Sequence, residues 1–206
     1  MIAEMLEATD EFAIRLMVLI DLPLYDDSRR IAISDVSCSM ALEHWQATLH
    51  ALQAGLLPSA IVVHRAQFEA LLRSIWLLYA ASDDQVAKLA EDLSIESEQC
   101  AKNLPQTADM MAALERTGPT PAYEALKRFK DNSWKALNSY AHAGLHPLRR
   151  HADGYPLELA IGVLRNANGL ASLTAMQAVT LAGAQPYQRA VLALAAEYPA
   201  CMPELL

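Results

Sequence analysis

The amino-acid sequence predicts an all-α protein, a single-domain helical bundle of about 6–8 helices that covers residues 1–206. Apolar residues recur at helical spacing through most of the chain, without strand-like alternation or an internal repeat. The residues are 53% hydrophobic and only 19% charged, a composition typical of a packed protein. A chain of this length can bury about 70% of the surface that its unfolded form exposes, so we expect it to fold without disulfides.

Caps and helix breakers predict the individual helices in order. An amphipathic first helix ends at Pro23, and Ser37 or Ser39 caps a second helix that ends at Gly55. The later helices are predicted over residues 58–81, 82–103, 107–118, 120–143, 155–183 and 186–198. In the helix from residue 120, Thr120 is the predicted N-cap and Pro121 the first helical residue.

The predicted helix over residues 58–81 carries an arginine on its apolar side. At 100° per residue, Gln67 and Ser74 share a narrow polar arc, and Arg65 falls on the other side. Arginine cannot shed its charge, so Arg65 must be paired or must open into a polar cavity. Glu69 lies one helical turn away, which is the spacing of a partner.

Residues 138–151, NSYAHAGLHPLRRH, concentrate polar side chains in an otherwise aliphatic chain. His142 and His146 have the spacing by which two imidazoles on one helix face hold a metal, with His151 as a third ligand. The zinc-protease pattern HExxH is incomplete, however, because Ala143 follows His142. We therefore predict no metal and no other cofactor, and we expect these histidines to hydrogen-bond a helix terminus, with a metal-binding bundle as a third alternative.

A polar constellation is the candidate catalytic site. It combines Arg65 and Glu69 with Asn138, His142 and His146 from the segment above. A histidine beside a fixed guanidinium is suited to proton transfer at a phosphodiester, with the arginine stabilising the developing charge. The alternative is structural, because a buried Arg–Glu pair capped by Asn and His can specify helix register.

Charge is unevenly distributed along the chain. The net charge of −8 argues against wholesale nucleic-acid binding. Residues 82–115 contain eight acids and two bases, a net of −6, whereas residues 125–152 contain six bases and one acid, a net of +5. Three cysteines without CxxC spacing, no recognisable signal segment and no long uncharged apolar stretch predict a cytoplasmic protein that does not enter a membrane.

Two segments carry a resemblance to known proteins: HRAQFEALLRSIWLLY, residues 64–79, and LNSYAHAGLHPLRR, residues 137–150. They resemble uncharacterised bacterial helical proteins with an R-x3-E central helix followed by an S-x-x-H-x-G turn, a group similar in organisation to HEPN-like domains. The resemblance implies a small helical bundle, a homodimer, and a role in phage defence or toxin–antitoxin systems. In active members it implies an RNase with an R-x(4–6)-H motif.

The resemblance assigns roles to residues of this chain. His142 would be the acid–base group and Asn138 a positioning donor, and Lys135 or Arg65, with Glu69 beside it, would stabilise the phosphate. Lys135 stands where the motif has arginine, so a point charge replaces a bidentate fork. The substrate-binding residues would be Tyr140, His146, Arg149 and Arg150.

The sequence thus predicts a HEPN-like protein that cleaves or binds RNA through residues 135–151, and whether it is an enzyme stays open. The alternative is a non-catalytic helical dimerisation or interaction module with a structural Arg–Glu–His network, whose acidic segment 82–115 docks a partner such as an antitoxin. Ala-rich helix faces and an amphipathic first helix favour a homodimer in both cases.

Overall fold

The computed structural model describes residues 2–95, 99 and 104–204, and within these ranges the chain is helical and contains no strand. Nine helices lie wholly within the described residues. They are α1 (Ile2–Ile20), α2 (Arg29–Gln53), α3 (Leu57–Tyr79), α4 (Asp83–Leu89), α5 (Thr107–Thr117), α6 (Thr120–Ala141), α7 (Leu145–Asp153), α8 (Leu157–Leu181) and α9 (Tyr187–Ala196), followed by a 3-10 turn at Pro199–Cys201. The predicted all-α helical bundle is confirmed.

The start of α2 differs from the prediction. Ser28 is the N-cap, since its Oγ accepts a hydrogen bond from the backbone N–H of Ile31 at 3.4 Å. Ser37 lies inside the helix, where its hydroxyl donates to the carbonyl of Ala70 at 2.9 Å. The predicted caps Ser37 and Ser39 are therefore wrong. The sequence misleads here because a serine hydroxyl serves equally well at a helix cap and in a contact between helices.

Other predicted boundaries stand close to the observed ones. Ser82 caps α4 and forms a capping box with Gln85, and α5 begins at Thr107 as expected. The N-cap of α6 is Pro119, one residue before the predicted Thr120. α4 ends at Leu89, and the end of the predicted helix over 82–103 lies partly outside the described residues.

α3 is the central helix, and most of its surface is buried against α2, α5, α6 and α8. The predicted polar arc is not a solvent-facing arc, because Gln67 and Ser74 are both fully buried. Arg65 instead lies on a partly exposed stripe of α3 with Glu69 and Arg73. The pattern could not reveal this arrangement because α3 buries its polar side chains as well as its apolar ones.

The core consists of two apolar clusters. The first joins α1, α2, α8 and α9 with the start of α3 and the end of α6, and in it the rings of Phe12 and Trp45 pack edge to face with their centroids 5.9 Å apart. The second joins α3, α5 and α6, where Phe68 stacks on Phe129 at 4.8 Å. Burial of such aromatic side chains is a large part of the stability of the bundle.

Buried amide side chains connect α8 to its neighbours. Asn168 accepts a hydrogen bond from the indole N–H of Trp45 at 2.9 Å and donates to Thr9 Oγ1 at 2.8 Å and to the carbonyl of Cys201 at 3.0 Å. Gln177 donates to Ser34 Oγ at 3.4 Å. These bonds satisfy groups that would be costly to bury alone, so they fix where α8 lies against α1 and α2.

The chain turns sharply between α6 and α7. His142 is the C-cap of α6, Ala143 adopts a left-handed conformation with φ 48°, and Gly144 donates its N–H to the carbonyl of Ser139 at 2.7 Å. A Cβ at Gly144 would lie 2.7 Å from Ser139 Oγ, so glycine is needed for this close approach. The chain then forms α7, which the sequence did not predict as a helix and which buries none of its residues.

Candidate functional site

The two histidines with the spacing of metal ligands do not share a helix face. His142 ends α6, whereas His146 lies in α7 beyond the turn, so the spacing of four residues no longer places the imidazoles one above the other. Within the part of the chain that the structure describes, no group of three or more His, Cys, Asp or Glu side chains is placed to hold a metal ion.

The Arg65–Glu69 pair forms as the sequence predicts. Arg65 Nη2 donates to Glu69 Oε1 at 3.1 Å, and the hydroxyl of Thr107, at the start of α5, donates to the same oxygen at 3.4 Å. The Arg65 guanidinium also lies over the ring of Trp134, 5.0 Å from its centroid. Arg65 therefore does contact α6, but at Trp134, a residue that sequence reasoning did not select.

The rest of the predicted catalytic constellation is not joined by direct contacts. His142 and Lys135 are exposed, and Asn138 is half-buried. Over the described ranges, no hydrogen bond or ion pair connects Arg65 or Glu69 to Asn138, His142 or His146. The structure brings together the two α3 residues but leaves the histidines on an open surface.

One exposed side of α6 carries basic side chains at regular spacing. Arg128, Lys135 and His142 follow one another at intervals of seven residues and are all exposed. Seven residues are close to two helical turns, so these side chains lie on one stripe about 10 Å apart. Lys127, the residue before Arg128, is occupied by an ion pair with Asp131, whose hydrogen bond raises the pKa of Lys127.

α7 continues this positive character beyond the turn. His146, Arg149, Arg150 and His151 are exposed. Arg149 pairs with Asp153 at 3.2 Å, and the imidazole Nδ1 of His151 lies 3.2 Å from the hydroxyl of Tyr155. We use the name basic surface for seven exposed cationic and imidazole side chains of this region, leaving out the ion-paired Lys127: Arg128, Lys135, His142, His146, Arg149, Arg150 and His151.

Tyr140 lies apart from this surface although it is close in sequence. Its side chain is 8% exposed and packs with Leu137 in the first apolar cluster, and burial raises the pKa of its hydroxyl. This position gives Tyr140 a packing role, and its predicted part in substrate binding stays a prediction.

His64 is a buried histidine that sequence reasoning passed over. Gln67 Nε2 donates to the carbonyl of Ala167 at 2.9 Å, so its Oε1 is left to accept the Nδ1–H of His64 at 3.0 Å. His64 Nε2 has no hydrogen-bond partner, and the ring packs edge to face on Phe129. Burial lowers the pKa of His64 to about 4, so the imidazole is neutral at pH 7.

The described cysteines are unsuited to nucleophilic chemistry. Cys38 is buried in α2, and its thiol donates to the carbonyl of Thr174 at 3.5 Å. Burial raises the pKa of Cys38 to about 12, and burial also raises the pKa of Cys201. Both thiols are therefore protonated at neutral pH and unreactive.

A shallow groove of about 500 Å³ lies between α1 and α2. Its lining includes Met17 and Val18 from α1 and Leu42 from α2, and the carboxylates of Asp21 and Asp35 lie at the groove as well. Large apolar side chains of α1 and α2 are also exposed to solvent. We use the name apolar α1–α2 surface for four of these side chains, of which only Val18 lines the groove: Ile14, Val18, Val36 and Met40.

The fold and this arrangement define a class of protein: an all-α bundle with a basic surface on two consecutive helices and, among the described residues, no cluster of side chains placed to hold a metal ion. None of the described helices combines the length and the apolar character that a membrane crossing requires.

The chain belongs to a family of unknown function, DUF6988, whose profile matches residues 38–204. No curated protein and no solved structure matches the chain. The family match agrees with the expectation of an uncharacterised family and gives the HEPN-like resemblance no support.

Proposed function

We propose that the protein binds RNA through the basic surface of α6 and α7 and does not cleave it. The observation that carries the proposal is the clustering of seven exposed cationic or imidazole side chains on two consecutive helices of a chain whose net charge is −8. Phosphate contacts from such side chains supply sequence-independent affinity for nucleic acid.

Binding rather than cleavage fits the surroundings of His142. A general acid–base group needs a partner that fixes its position and a second group that stabilises the developing charge. His142 is exposed at the end of α6, and Arg65 is already engaged by Glu69 and Trp134. An exposed imidazole at a helix end can contact a phosphate without taking part in proton transfer.

The strength of the salt dependence follows from the number of free charges. Arg128, Lys135 and Arg150 have no ion-pair partner among the described residues, whereas Arg149 is paired with Asp153. Three phosphate contacts on single-stranded RNA give a slope of log K against log salt of about −2. Affinity is then expected to fall about 15-fold between 50 mM and 200 mM salt.

The experiment is fluorescence anisotropy with a labelled single-stranded RNA at these two salt concentrations. The double variant Arg128→Gln/Lys135→Gln is expected to bind more weakly and to reduce the slope to about −0.7. The control variant, Arg116→Gln/Arg189→Gln, removes the same charge from exposed positions on α5 and α9. Absence of binding at 50 mM salt, or an equal loss in the control, would contradict the proposal.

Incubation of total RNA with the wild type and with His142→Ala separates binding from cleavage. We expect neither protein to cleave the RNA. Cleavage by the wild type that is lost in His142→Ala, with unchanged thermal melting, would replace the binding proposal with the RNase that the HEPN-like resemblance implies.

We also propose that the protein is a homodimer that associates through the apolar α1–α2 surface. Ile14 and Val18 form one i, i+4 pair with 68% and 75% exposure, and Val36 and Met40 form another on α2. Exposed apolar side chains grouped in this way mark interaction surfaces, and a two-fold axis would place the surface against its own copy. This feature favours the alternative function, a helical interaction module.

Light scattering of Val18→Glu tests the homodimer. The wild type is expected at twice the chain mass, and the variant is expected to dissociate because a buried carboxylate would lack a partner. Leu192→Glu is the matched control, since Leu192 is exposed on α9, away from the groove. A wild type at the mass of one chain would overturn this proposal.

A further inference from the structure

A row of three charged side chains on the partly exposed stripe of α3 has an unbalanced charge. Arg65, Glu69 and Arg73 succeed one another at intervals of one helical turn. Glu69 Oε1 already accepts hydrogen bonds from Arg65 and from Thr107. Two guanidinium groups thus share one carboxylate, and a positive charge is left in excess.

Arg73 is the member of the row without a directly bonded partner among the described residues, although the charge of Glu69 acts on it. It is half-buried, and no hydrogen bond or ion pair joins its guanidinium to any residue that the structure describes. Its Nη1 is buried without a hydrogen-bond partner, as is the Nε of Arg65. Arginine stays charged under these conditions, so the cost of this burial is not relieved by deprotonation. Unpaired buried donors are uncommon in native proteins and call for an explanation.

The start of α5 adds to the positive potential here. Thr107 is the first residue of this helix of 11 residues, and its contact with Glu69 places the helix N-terminus beside the row. The N-terminus of a helix carries a partial positive charge. Asp109, in the first turn of α5, is engaged by the backbone N–H of Gln106 at 3.1 Å and forms no ion pair with Arg73.

We propose that the guanidinium of Arg73 is a binding site for a small oxyanion, a phosphate or carboxylate group. Because Nη1 is buried, the oxyanion would approach the other two nitrogens, Nε and Nη2, which can hold such a group in a bidentate arrangement. Glu69 and Trp134 hold Arg65 beside it, so the oxyanion would complete a row in which each arginine has one anionic partner. The residues of this site lie on α3 and α5 and are not members of the basic surface, so the proposal does not depend on RNA binding.

Thermal melting in phosphate tests the site. Inorganic phosphate is titrated at constant ionic strength against sodium chloride, and a parallel titration uses acetate. At a phosphate concentration ten times Kd, we expect Tm of the wild type to rise by about 3–6 °C. Stabilisation by phosphate and by acetate indicates a general oxyanion site, and stabilisation by phosphate alone indicates a phosphoryl ligand.

Three variants give the test its specificity. Arg73→Gln is expected to lose the phosphate-dependent rise, and Arg73→Lys to weaken the apparent affinity for phosphate about tenfold or more, because it keeps the charge without the fork. Arg128→Gln, on the basic surface, is expected to keep the full rise. Arg73→Gln is also expected to leave the salt slope of RNA binding unchanged. Failure of the oxyanion proposal can therefore be distinguished from failure of the RNA-binding proposal.

A wild type whose Tm is equal in phosphate, acetate and chloride would overturn the proposal. An equal rise in Arg73→Gln and in the wild type would overturn it as well, because the anion would then bind elsewhere. If Arg73→Gln does not fold, Arg73→Lys and a direct calorimetric titration of the wild type with phosphate decide the question.

Discussion

Replacement of His64 by glutamine removes a buried imidazole that resists protonation. The side chain of His64 is 2% exposed, and burial lowers its pKa from 6.5 to about 4. In the unfolded chain the imidazole is solvated and binds a proton near pH 6.5. Between pH 6.5 and pH 4 the unfolded state therefore binds more protons than the folded state, and stability is lost as the pH falls through this window.

The size of the effect follows from the two pKa values. The ordinary value of 6.5 and the folded value of about 4 differ by about 2.5, and each unit corresponds to about 1.4 kcal/mol. The wild type is thus expected to lose about 3 kcal/mol of unfolding free energy through His64 by pH 4. For a protein of this size, that loss lowers Tm by about 6–12 °C.

Urea unfolding of wild type and His64→Gln between pH 7 and pH 4 measures this contribution. Carboxylates titrate alike in both proteins, so their effect cancels in the difference between the two unfolding free energies. That difference is expected to move by about 3 kcal/mol in favour of the variant over the window. His142→Gln, at an exposed position, should follow the wild type. A difference that stays constant with pH would refute the reasoning.

Three further predictions concern the core and the turn. Asn168→Ala is expected to lower the unfolding free energy by about 3–5 kcal/mol, because three buried partners lose their hydrogen bonds. Urea unfolding measures this loss. The control is Asn166→Ala, at a half-buried position on α8, which should lower the unfolding free energy by about 1 kcal/mol or less. Ala143→Gly is expected to raise the unfolding free energy by about 0.5–1 kcal/mol in the same assay, since φ 48° strains alanine, and a loss would contradict it. Cys38, whose pKa is raised to about 12, is expected to resist iodoacetamide at pH 8 in the folded protein and to react once urea unfolds the chain. Peptide mass spectrometry measures the labelling. Rapid labelling of Cys38 in the folded protein would contradict this prediction.

The all-α class and most helix boundaries were predictable because local signals decide them. Ser82 and Gln85 form a capping box that is readable in the sequence, and Pro119 and Gly144 stand at the N-caps of α6 and α7. The burial of Gln67 and Ser74 was not predictable in the same way. Their partners, among them Ala167 and Ser34, lie far away in the chain, and periodicity alone does not reveal such contacts.

The sequence predicted only part of the candidate site, because it reveals contacts within one helix but not contacts between distant segments. Arg65 and Glu69 interact within one helix, so their spacing was sufficient. Whether His142 meets them depends on the path of the chain after Ala141, where one left-handed residue and the close contact of Gly144 with Ser139 redirect α7. Arg73 could have been found, since it repeats the interval between Arg65 and Glu69, but its lack of a partner is visible only in three dimensions.

The buried amides along α8 have a consequence for how the protein unfolds. Gln67, Asn168 and Gln177 bond across α8 at separate points. If α8 slid along its neighbours by one turn, about 5.4 Å, all of these hydrogen bonds would break together. Their donors and acceptors would stay buried without partners, which is costly. Partly slipped intermediates are therefore disfavoured, and loss of the helices and exposure of Trp45 should follow one cooperative transition.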